Sequence, residues 1–560
     1  MDMSITQDTF DEVVKENMED FGMDRKGAAE DAVEQFKAQG ADLSMVDTSA
    51  DGIRQDARAA MKERVDKLSG LDVGADGSSL SDCVEALSGV GEMCRQDGAE
   101  GEANRMAFGE AGGVGVVSRF MGGGAQDSYP SSVVLAALAA LCDACRNHER
   151  NRDAFIYTNM AQQLTSLLVR WTNAADTGGH HDSDRGKGNQ PLEGVATGSP
   201  AAAAAAAASP AEETAGLVAA GLKLVKTVCT KAENNKGSFM RRKGAVVLKA
   251  ALERYGSGEG GDEDRDAAVT REACGALRSV TLGDDRRKDF SGTYDNVKAL
   301  VSAGLIPLLL DAARAFQGDS ATVSALYLAL KQLAANDESV KMIVEKGGLE
   351  LVSGAIVSFP LDAVVCRTAL SLFRNISGND LLKTRLLREG GLRLVLGCMS
   401  QHKGDNTLQE HGCATMAAMA LRSPSNGAQI VSEGGITSVL EAMRQHPTVQ
   451  ALQRQACLCI RNIAARGPAL RSVMLDEGCE TALREAGKMR GCVDEAYGAL
   501  RDLQCEVGLV TMGEGGKVQV GIKAFGEEKP NFNPSLEETG NLGERIEDSS
   551  TAPIHAGYKM

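Results

Sequence analysis

Residues that could carry out chemistry occur in three short patterns of this chain. Residues 513–517 read Gly-Glu-Gly-Gly-Lys, Cys142 and Cys145 form a Cys-x-x-Cys pair, and His180 stands next to His181. The glycine run lacks the spacing and the Ser or Thr of a phosphate-binding loop, and the cysteine pair has no second pair at zinc-site spacing. No nucleophile, base and oxyanion donor are grouped as an active site requires. We therefore predict a non-enzyme without catalytic residues, cofactor or metal.

The charge of the chain excludes further classes of function. Its net charge is −17, whereas sequence-independent nucleic-acid binding needs a basic footprint. The most apolar stretch, residues 133–142, is half of the roughly 20 residues that span a bilayer. The first residues include acid and no apolar run, which predicts that there is no signal peptide. We expect a soluble protein of the cytoplasm, with the nucleus as the alternative, that binds neither nucleic acid nor membrane.

The composition favours helices packed on helices. Apolar residues make up 43% of the chain but aromatic residues only 4%, so the core must be mainly aliphatic. Many of the fourteen cysteines stand at apolar helix positions. In a reducing compartment such thiols are small buried hydrophobes, and we expect no disulfides.

A repeated pattern organises most of the chain and must position any site. A glycine is followed by apolar or small residues one, four, five and eight places later, beginning at Gly304, Gly348, Gly391, Gly435 and Gly478. These glycines are 44, 43, 44 and 43 residues apart. The spacing is that of one helix face, and the glycine can adopt the positive φ of a sharp junction.

Each of these helices is followed by a longer helix and then by a short helix that leads to the next glycine. The predicted longer helices are 270–282, 321–335, 365–377, 410–421 and 454–465. Three helices in about 43 residues match an armadillo or HEAT repeat. Weaker copies begin at Gly113 and Gly244. We therefore predict about eight repeats, followed by a capping helix at 492–506.

Three runs of residues resemble the helix signatures of armadillo-repeat proteins: Gly304-Leu-Ile-Pro-Leu-Leu-Leu, Leu372-Phe-Arg-Asn-Ile-Ser and Cys459-Ile-Arg-Asn-Ile-Ala. The resemblance covers roughly residues 7–507. It implies an all-α, right-handed armadillo-repeat superhelical solenoid of about eight three-helix repeats. It also implies a non-enzymatic scaffold or adaptor whose groove binds a segment of a partner protein, and it brings no catalytic residues.

We predict three regions. Residues 1–77 hold amphipathic helices at 7–20 and 25–39, with Phe10, Val14 and Phe21 on one apolar face, and a linker. Residues 78–507 form the solenoid, interrupted by a low-complexity insertion at 172–212 and an acidic glycine-rich loop at 256–266. Residues 508–560 form an acidic tail without helical periodicity, predicted to be disordered apart from a candidate strand at 518–522.

The resemblance implies that the third helices line a concave groove. In relatives such as importin-α, groove asparagines bind an extended peptide, and a Trp stands four residues before each asparagine. Only Asn375 and Asn462 match here, and Ser371 and Leu458 replace the Trp. We therefore predict no nuclear-import receptor.

A basic residue recurs just before the asparagine position, and near Ala418 the series is broken. This basic column is Arg278, Lys331, Arg374, Arg461 and Arg501. Residues at one register of stacked repeats form a line. The column either binds acidic or amphipathic partner segments through charge-assisted hydrogen bonds, or pairs with neighbouring Asp and Glu.

Two further hypotheses remain open. The chain, expected to be monomeric, is alternatively a structural or assembly component of a cytoskeletal or ciliary complex, bound through its convex face and N-terminal helices. The acidic tail is also tethered close to the basic column, so it would compete with partners if it docked there.

Overall fold

The computed structural model describes residues 3–39, 41–43, 46, 53–71, 80–122, 129–173, 209–258, 262–288, 291–512 and 518–523. The helices at the N-terminal end are α1 (Gln7–Phe21), α2 (Arg25–Ala38), α3 (Ile53–Gly70) and α4 (Leu80–Arg95). The next helices are α5 (Gly98–Glu110), α6 (Gly113–Ser118), α7 (Ser131–Cys145), α8 (Glu149–Tyr157), α9 (Met160–Asn173), α10 (Pro210–Cys229), α11 (Glu233–Arg241), α12 (Gly244–Tyr255) and α13 (Glu263–Thr281).

The helices of the C-terminal half are α14 (Thr293–Ser302), α15 (Leu305–Ala315), α16 (Ser320–Leu333), α17 (Asp337–Glu345), α18 (Gly348–Ser358), α19 (Ala363–Ile376), α20 (Asp380–Arg388), α21 (Gly391–Gln401), α22 (Asn406–Ala420), α23 (Pro424–Ser432), α24 (Gly435–Gln445), α25 (Gln450–Ala464), α26 (Arg471–Asp476), α27 (Cys479–Ala486) and α28 (Val493–Asp502). One-turn 3₁₀ helices at Arg119–Met121 and Pro468–Leu470 extend α6 and precede α26.

These helices form eight three-helix repeats, from α5–α7 to α26–α28, stacked behind the pair α3 and α4. One continuous core of aliphatic, cysteine and a few aromatic side chains runs through all of them. The predicted all-α solenoid is confirmed. Within the part that the structure describes, no single helix is long and apolar enough to cross a membrane; only the bent pair α14–α15 passes by length and composition.

The junction glycines require a correction of register. Positive φ occurs at Gly304, Gly347, Gly390, Gly434 and Gly478, which are 43, 43, 44 and 44 residues apart. In the three Gly-Gly pairs the first glycine makes the turn, and the prediction that the second one does is wrong. The second glycine is needed for a different reason: a Cβ at Gly391 would lie 2.3 Å from Leu386 Cδ1. In each pair, the first glycine thus makes the turn, and the second leaves room for a close approach of the preceding helix.

The N-terminal boundary at residue 77 is also corrected. Met61, Val65 and Leu68 of α3 are buried in the solenoid core, so the solenoid includes α3. Helices α1 and α2 have a separate small core in which the Phe10 and Phe36 ring centroids are 6.0 Å apart. Phe21, predicted to share that apolar face, is 71% exposed.

Two predicted irregular segments lie within one repeat each. The insertion 172–212 falls between α9 and α10, and residues 174–208 lie outside the described residues. Its end is ordered, because Ser209 and Glu212 form a capping box at the start of α10. The acidic loop 256–266 is shorter than predicted, because α13 already begins at Glu263 and is capped by Asp262.

The tail prediction is wrong at its start. Strands Val507–Met512 and Val518–Lys523 pair in an antiparallel hairpin, which includes the candidate strand at 518–522. Residues 524–560, and the rest of the predicted disorder, lie outside the described residues. A second pair of short strands, Met3–Ser4 and Ala41–Asp42, is parallel.

Buried asparagines near the start of first helices join the repeats, a feature that the sequence analysis missed. Asn151 Nδ2 donates to Ala144 O and to Arg105 O, both at 2.8 Å. Asn235 Nδ2 donates to Val228 O at 2.7 Å and to Arg152 O at 2.8 Å. Asn296 and Asn426 donate in the same way to Val280 O and Met419 O. The bonds to Ala144, Val228, Val280 and Met419 satisfy carbonyls at the ends of third helices, which have no partner within the helix. The bonds to Arg105 and Arg152 reach the first helix of the preceding repeat.

Candidate concave groove

The third helices of successive repeats form the inner face of the solenoid. They are α7, α10, α13, α16, α19, α22, α25 and α28, with α4 in the same row. They pack against one another more extensively than the second helices of the same repeats do. The chain therefore curves toward its third helices, which line the groove.

Aspartate N-caps set a common register for three of these helices. Asp319, Asp362 and Asp405 accept hydrogen bonds from backbone N–H groups at the starts of α16, α19 and α22. Lys331 and Arg374 each lie twelve residues after the cap of their helix. Ala417 holds the equivalent place in α22, one residue before the predicted break at Ala418.

Arg278, Lys331 and Arg374 lie close together and form what we term the central cations. Lys331 is half-buried, and its pKa is lowered by burial, by Arg374 and by Arg278, while Glu410 acts in the opposite direction. None of the three forms an ion pair with any carboxylate in the described parts of the chain. Three like charges thus lie together, the middle one partly desolvated, without a carboxylate bonded to any of them.

The C-terminal end of the basic column differs. Arg461 Nε lies 3.4 Å from Asp502 Oδ2, and Arg501 lies 2.8 Å from Asp502 Oδ1. Both of these arginines therefore have a structural counter-ion. The column divides into an unpaired centre and a paired end.

The two asparagines use their amide groups within the solenoid. Asn375 Nδ2 donates to Lys331 O at 3.2 Å and to Ala334 O at 3.3 Å. Asn462 Nδ2 donates to Ala417 O at 2.9 Å. Each asparagine thus ties its own third helix to the preceding one, and both bonds of the Asn375 amide are made within the solenoid.

Other groove residues were not predicted. His411 is half-buried in α22, and its pKa is lowered to about 4 by burial and then by Lys331, Arg374 and Arg367. Its Nδ1 is buried without a hydrogen-bond partner in the described structure. His411 lies six residues after an aspartate cap, so only that N-cap register, not the basic pattern, would have found it.

Lys226 extends the basic column by one repeat toward the N-terminus. It lies on α10, and its side chain covers Gly275, which is one turn before Arg278. Its Nζ is 3.5 Å from Glu272 Oε2, so this lysine is paired. The insertion before α10 interrupts the repeat spacing, so this repeat is hard to recognise in the sequence.

The Cys142–Cys145 pair lies in the core of α7, as predicted. Both thiols are buried, and burial raises the pKa of Cys142 to about 12 and that of Cys145 further. All fourteen cysteines are buried. The described residues contain no group of three or more His, Cys, Asp or Glu that could hold a metal ion. His180 and His181 lie outside the described residues.

The repeat architecture and its groove define an armadillo-type solenoid, a fold that in general serves protein interaction and is typically non-enzymatic. A family model described as ARMC6 matches residues 203–519, and a model of the armadillo repeat-containing protein 6 N-terminal domain matches residues 2–67. The chain therefore belongs to the armadillo repeat-containing protein 6 family.

The similarity to individual proteins agrees with this assignment. The chain is 29% identical over 336 residues to human armadillo repeat-containing protein 6, which aligns 60% of this chain and 56% of the human protein. It is 25% identical over 334 residues to the Drosophila melanogaster homologue, covering 60% of this chain and 59% of that protein. The matched region thus spans less than two thirds of either relative.

A solved structure shows the same fold. The crystal structure of an engineered protein superposes with a TM-score of 0.50 at 18% identity, covering 79% of this chain and 98% of the engineered one. At that identity the likeness concerns the fold alone.

Proposed function

We propose that the groove binds an acidic segment of a partner protein at the central cations. The observation that carries this proposal is the set of three neighbouring cations, Arg278, Lys331 and Arg374, with no carboxylate bonded to any of them. The chain as a whole has a net charge of −17, and these three cations lie together on one face of it. The function is that of a non-enzymatic scaffold or adaptor.

An anionic segment would relieve the mutual repulsion of the central cations. Lys331 already loses some of its preference for the charged state through burial and its two arginine neighbours. A carboxylate beside it would reverse that effect and accept charge-assisted hydrogen bonds, which are stronger than neutral ones. Because Lys331 and Arg374 are partly buried, salt screens their contacts less than it screens exposed pairs.

A defined acidic probe tests this proposal. Fluorescence anisotropy would measure binding of a labelled oligoglutamate peptide to the full chain, to Lys331→Gln/Arg374→Gln and to Arg388→Gln. Arg388 is an exposed arginine on a first helix and is the matched control. We expect the double variant to bind at least about tenfold more weakly, because each charge-assisted hydrogen bond contributes roughly 1.5–3 kcal/mol. Equal loss in the control would overturn the proposal.

A second candidate function rests on the N-terminal helices. Met18, Phe21 and Met23 are exposed around the end of α1, and such clustered apolar residues often mark interaction sites. This candidate corresponds to a cytoskeletal or ciliary assembly component bound outside the groove. A Phe21→Ser variant that leaves an assembly but still binds oligoglutamate would support it; an unchanged association would not.

We also propose that the protein acts as a monomer in the cytoplasm, with the nucleus as the alternative, and that it binds neither nucleic acid nor membrane. The support for this is the acidic composition, which disfavours nucleic acid, and the many buried cysteines, which suit a reducing compartment. Fractionation of cells that express the tagged chain would test the location.

A further inference from the structure

The residue directly after each position of the basic column contacts the third helix of the preceding repeat. Asn375 follows Arg374, and its Nδ2 donates to Lys331 O at 3.2 Å. Asp502 follows Arg501, and its Oδ2 lies 3.4 Å from Arg461 Nε. In both cases a residue of one third helix meets the column residue of the third helix before it. We term this residue the facing position.

The same contact occurs where the column is broken. Ala417 takes the place of a cation in α22, and Asn462 of α25 donates to its carbonyl oxygen at 2.9 Å. The facing position is thus set by the stacking of the third helices and not by the charge of the column residue. Gln332 and Ala418, which follow Lys331 and Ala417, hold the facing positions of α16 and α22.

The facing positions differ in charge. Asp502 places one carboxylate oxygen 3.4 Å from Arg461 and the other 2.8 Å from Arg501, so it is a built-in counter-ion. The central cations Arg278, Lys331 and Arg374 instead face Gln332, Asn375 and Ala418, in that order. None of these three side chains can carry a charge. Three consecutive repeats therefore present a cation opposite an uncharged facing position.

The distance between repeats limits how acidic groups of one segment can reach these cations. Packed helices lie roughly 8–10 Å apart, and the spacing in the groove is at most this, because the solenoid curves toward its third helices. Side chains on one face recur about every 6.7 Å in a strand, with one residue between them. In a polyproline II segment they recur about every 9.3 Å, with two residues between them. Directly adjacent acidic residues point to different sides and cannot serve neighbouring cations.

We propose that the central cations bind one acidic side chain per repeat, over three consecutive repeats, from an extended partner segment in which one or two neutral residues separate the acidic ones. Each carboxylate would serve its cation as Asp502 serves Arg461. This inference rests on the proposed groove function and adds to it the spacing of the charges in the partner.

Three peptides of equal length and composition test the spacing on the full wild-type chain. Each contains three glutamates among serines; the glutamates are contiguous in one peptide and separated by one serine or by two serines in the others. Fluorescence anisotropy at one salt concentration would measure the three affinities. We expect the better spaced peptide to bind about tenfold more tightly than the contiguous one, because it makes one more charge-assisted hydrogen bond. A contiguous peptide that binds as tightly as both spaced ones would overturn the proposal.

A variant can supply the counter-ion from within the chain. Ala418→Asp places a carboxylate opposite Arg374, as Asp502 lies opposite Arg461. Ala418→Asn is the matched control, because it has the same size without the charge. We expect Ala418→Asp to bind the spaced peptide about tenfold more weakly than Ala418→Asn does, although no cation has been removed. Equal affinity of the two variants would contradict the facing arrangement.

Failure of the spacing and failure of the groove function give different results. If the three peptides bind wild type equally and Lys331→Gln/Arg374→Gln loses all of them, the groove function stands and the proposed spacing is wrong. If Lys331→Gln/Arg374→Gln binds every peptide as tightly as wild type does, the central cations are not the binding site, and both proposals are wrong.

Discussion

Asn375 donates its side-chain amide to the main-chain carbonyl of Lys331, 3.2 Å away in the preceding repeat. Asn375, which is next to Arg374, thus binds the backbone of Lys331, the preceding cation of the basic column. This bond between repeats therefore fixes the backbone of Lys331 relative to Arg374.

Replacing Asn375 should loosen this arrangement. Asn375→Ala removes hydrogen bonds to Lys331 O and Ala334 O, which we expect to lower the free energy of unfolding by about 1–3 kcal/mol. Urea denaturation followed by circular dichroism would measure it, with the exposed Asn406→Ala as control. Similar stability in both variants would show that the amide does not join the repeats.

A buried lysine should be more important for stability than for binding. Lys236 is fully buried, and its Nζ lies 2.5 Å from Leu282 O, at the end of α13, and 2.5 Å from Asp284 Oδ1. Lys236→Met would leave Asp284 without this partner, and we expect a loss of about 3–5 kcal/mol. Lys249→Met, which breaks an exposed pair with Glu253, is the control and should change stability by less than about 1 kcal/mol. A Lys236 variant as stable as this control would show that the buried contact between Lys236 and Asp284 does not stabilise the fold.

His411 should make stability depend on pH. Its folded-state pKa is about 4, against 6.5 for the ordinary side chain, because burial and the cations Lys331, Arg374 and Arg367 oppose its protonation, while Asp405 partly favours it. The unfolded chain therefore binds a proton more readily, and stability is lost as pH falls from about 6.5 toward 4. His411→Gln should reduce that loss by on the order of 1–3 kcal/mol.

Urea denaturation at pH 7 and at pH 4.5 would compare wild type with His411→Gln. His148, whose pKa is also lowered to about 4, remains in both chains and cancels in the difference. Parallel pH profiles for the two chains would show that His411 does not sense the groove cations.

The acidic tail provides a test of competition in cis. Residues 524–560 lie outside the described residues, and their acidic groups outnumber the basic ones. If the tail occupies the groove, a chain that ends at residue 523 keeps the hairpin and should bind oligoglutamate severalfold more tightly. Unchanged affinity would exclude docking of the tail.

The sequence alone was sufficient for the repeats because their apolar spacing is local. It also placed Lys331 and Arg374 on one line, since both stand just before the asparagine position of their repeats. It could not decide which cation is paired, because Asp502 lies 41 residues from Arg461 and on another helix. Nor could it tell which glycine of a Gly-Gly pair makes the turn, since that depends on contacts such as Leu386 against Gly391.

The most direct test of the central claim is a quantitative pull-down from cell extract, read by mass spectrometry, with wild type, Arg374→Glu and Arg388→Glu. Arg461→Glu would be a fourth bait that perturbs the paired end of the column. After equal helical circular dichroism has been verified, we expect a protein that wild type and Arg388→Glu retain and that Arg374→Glu loses. The same set of proteins on all baits would contradict binding at the central cations.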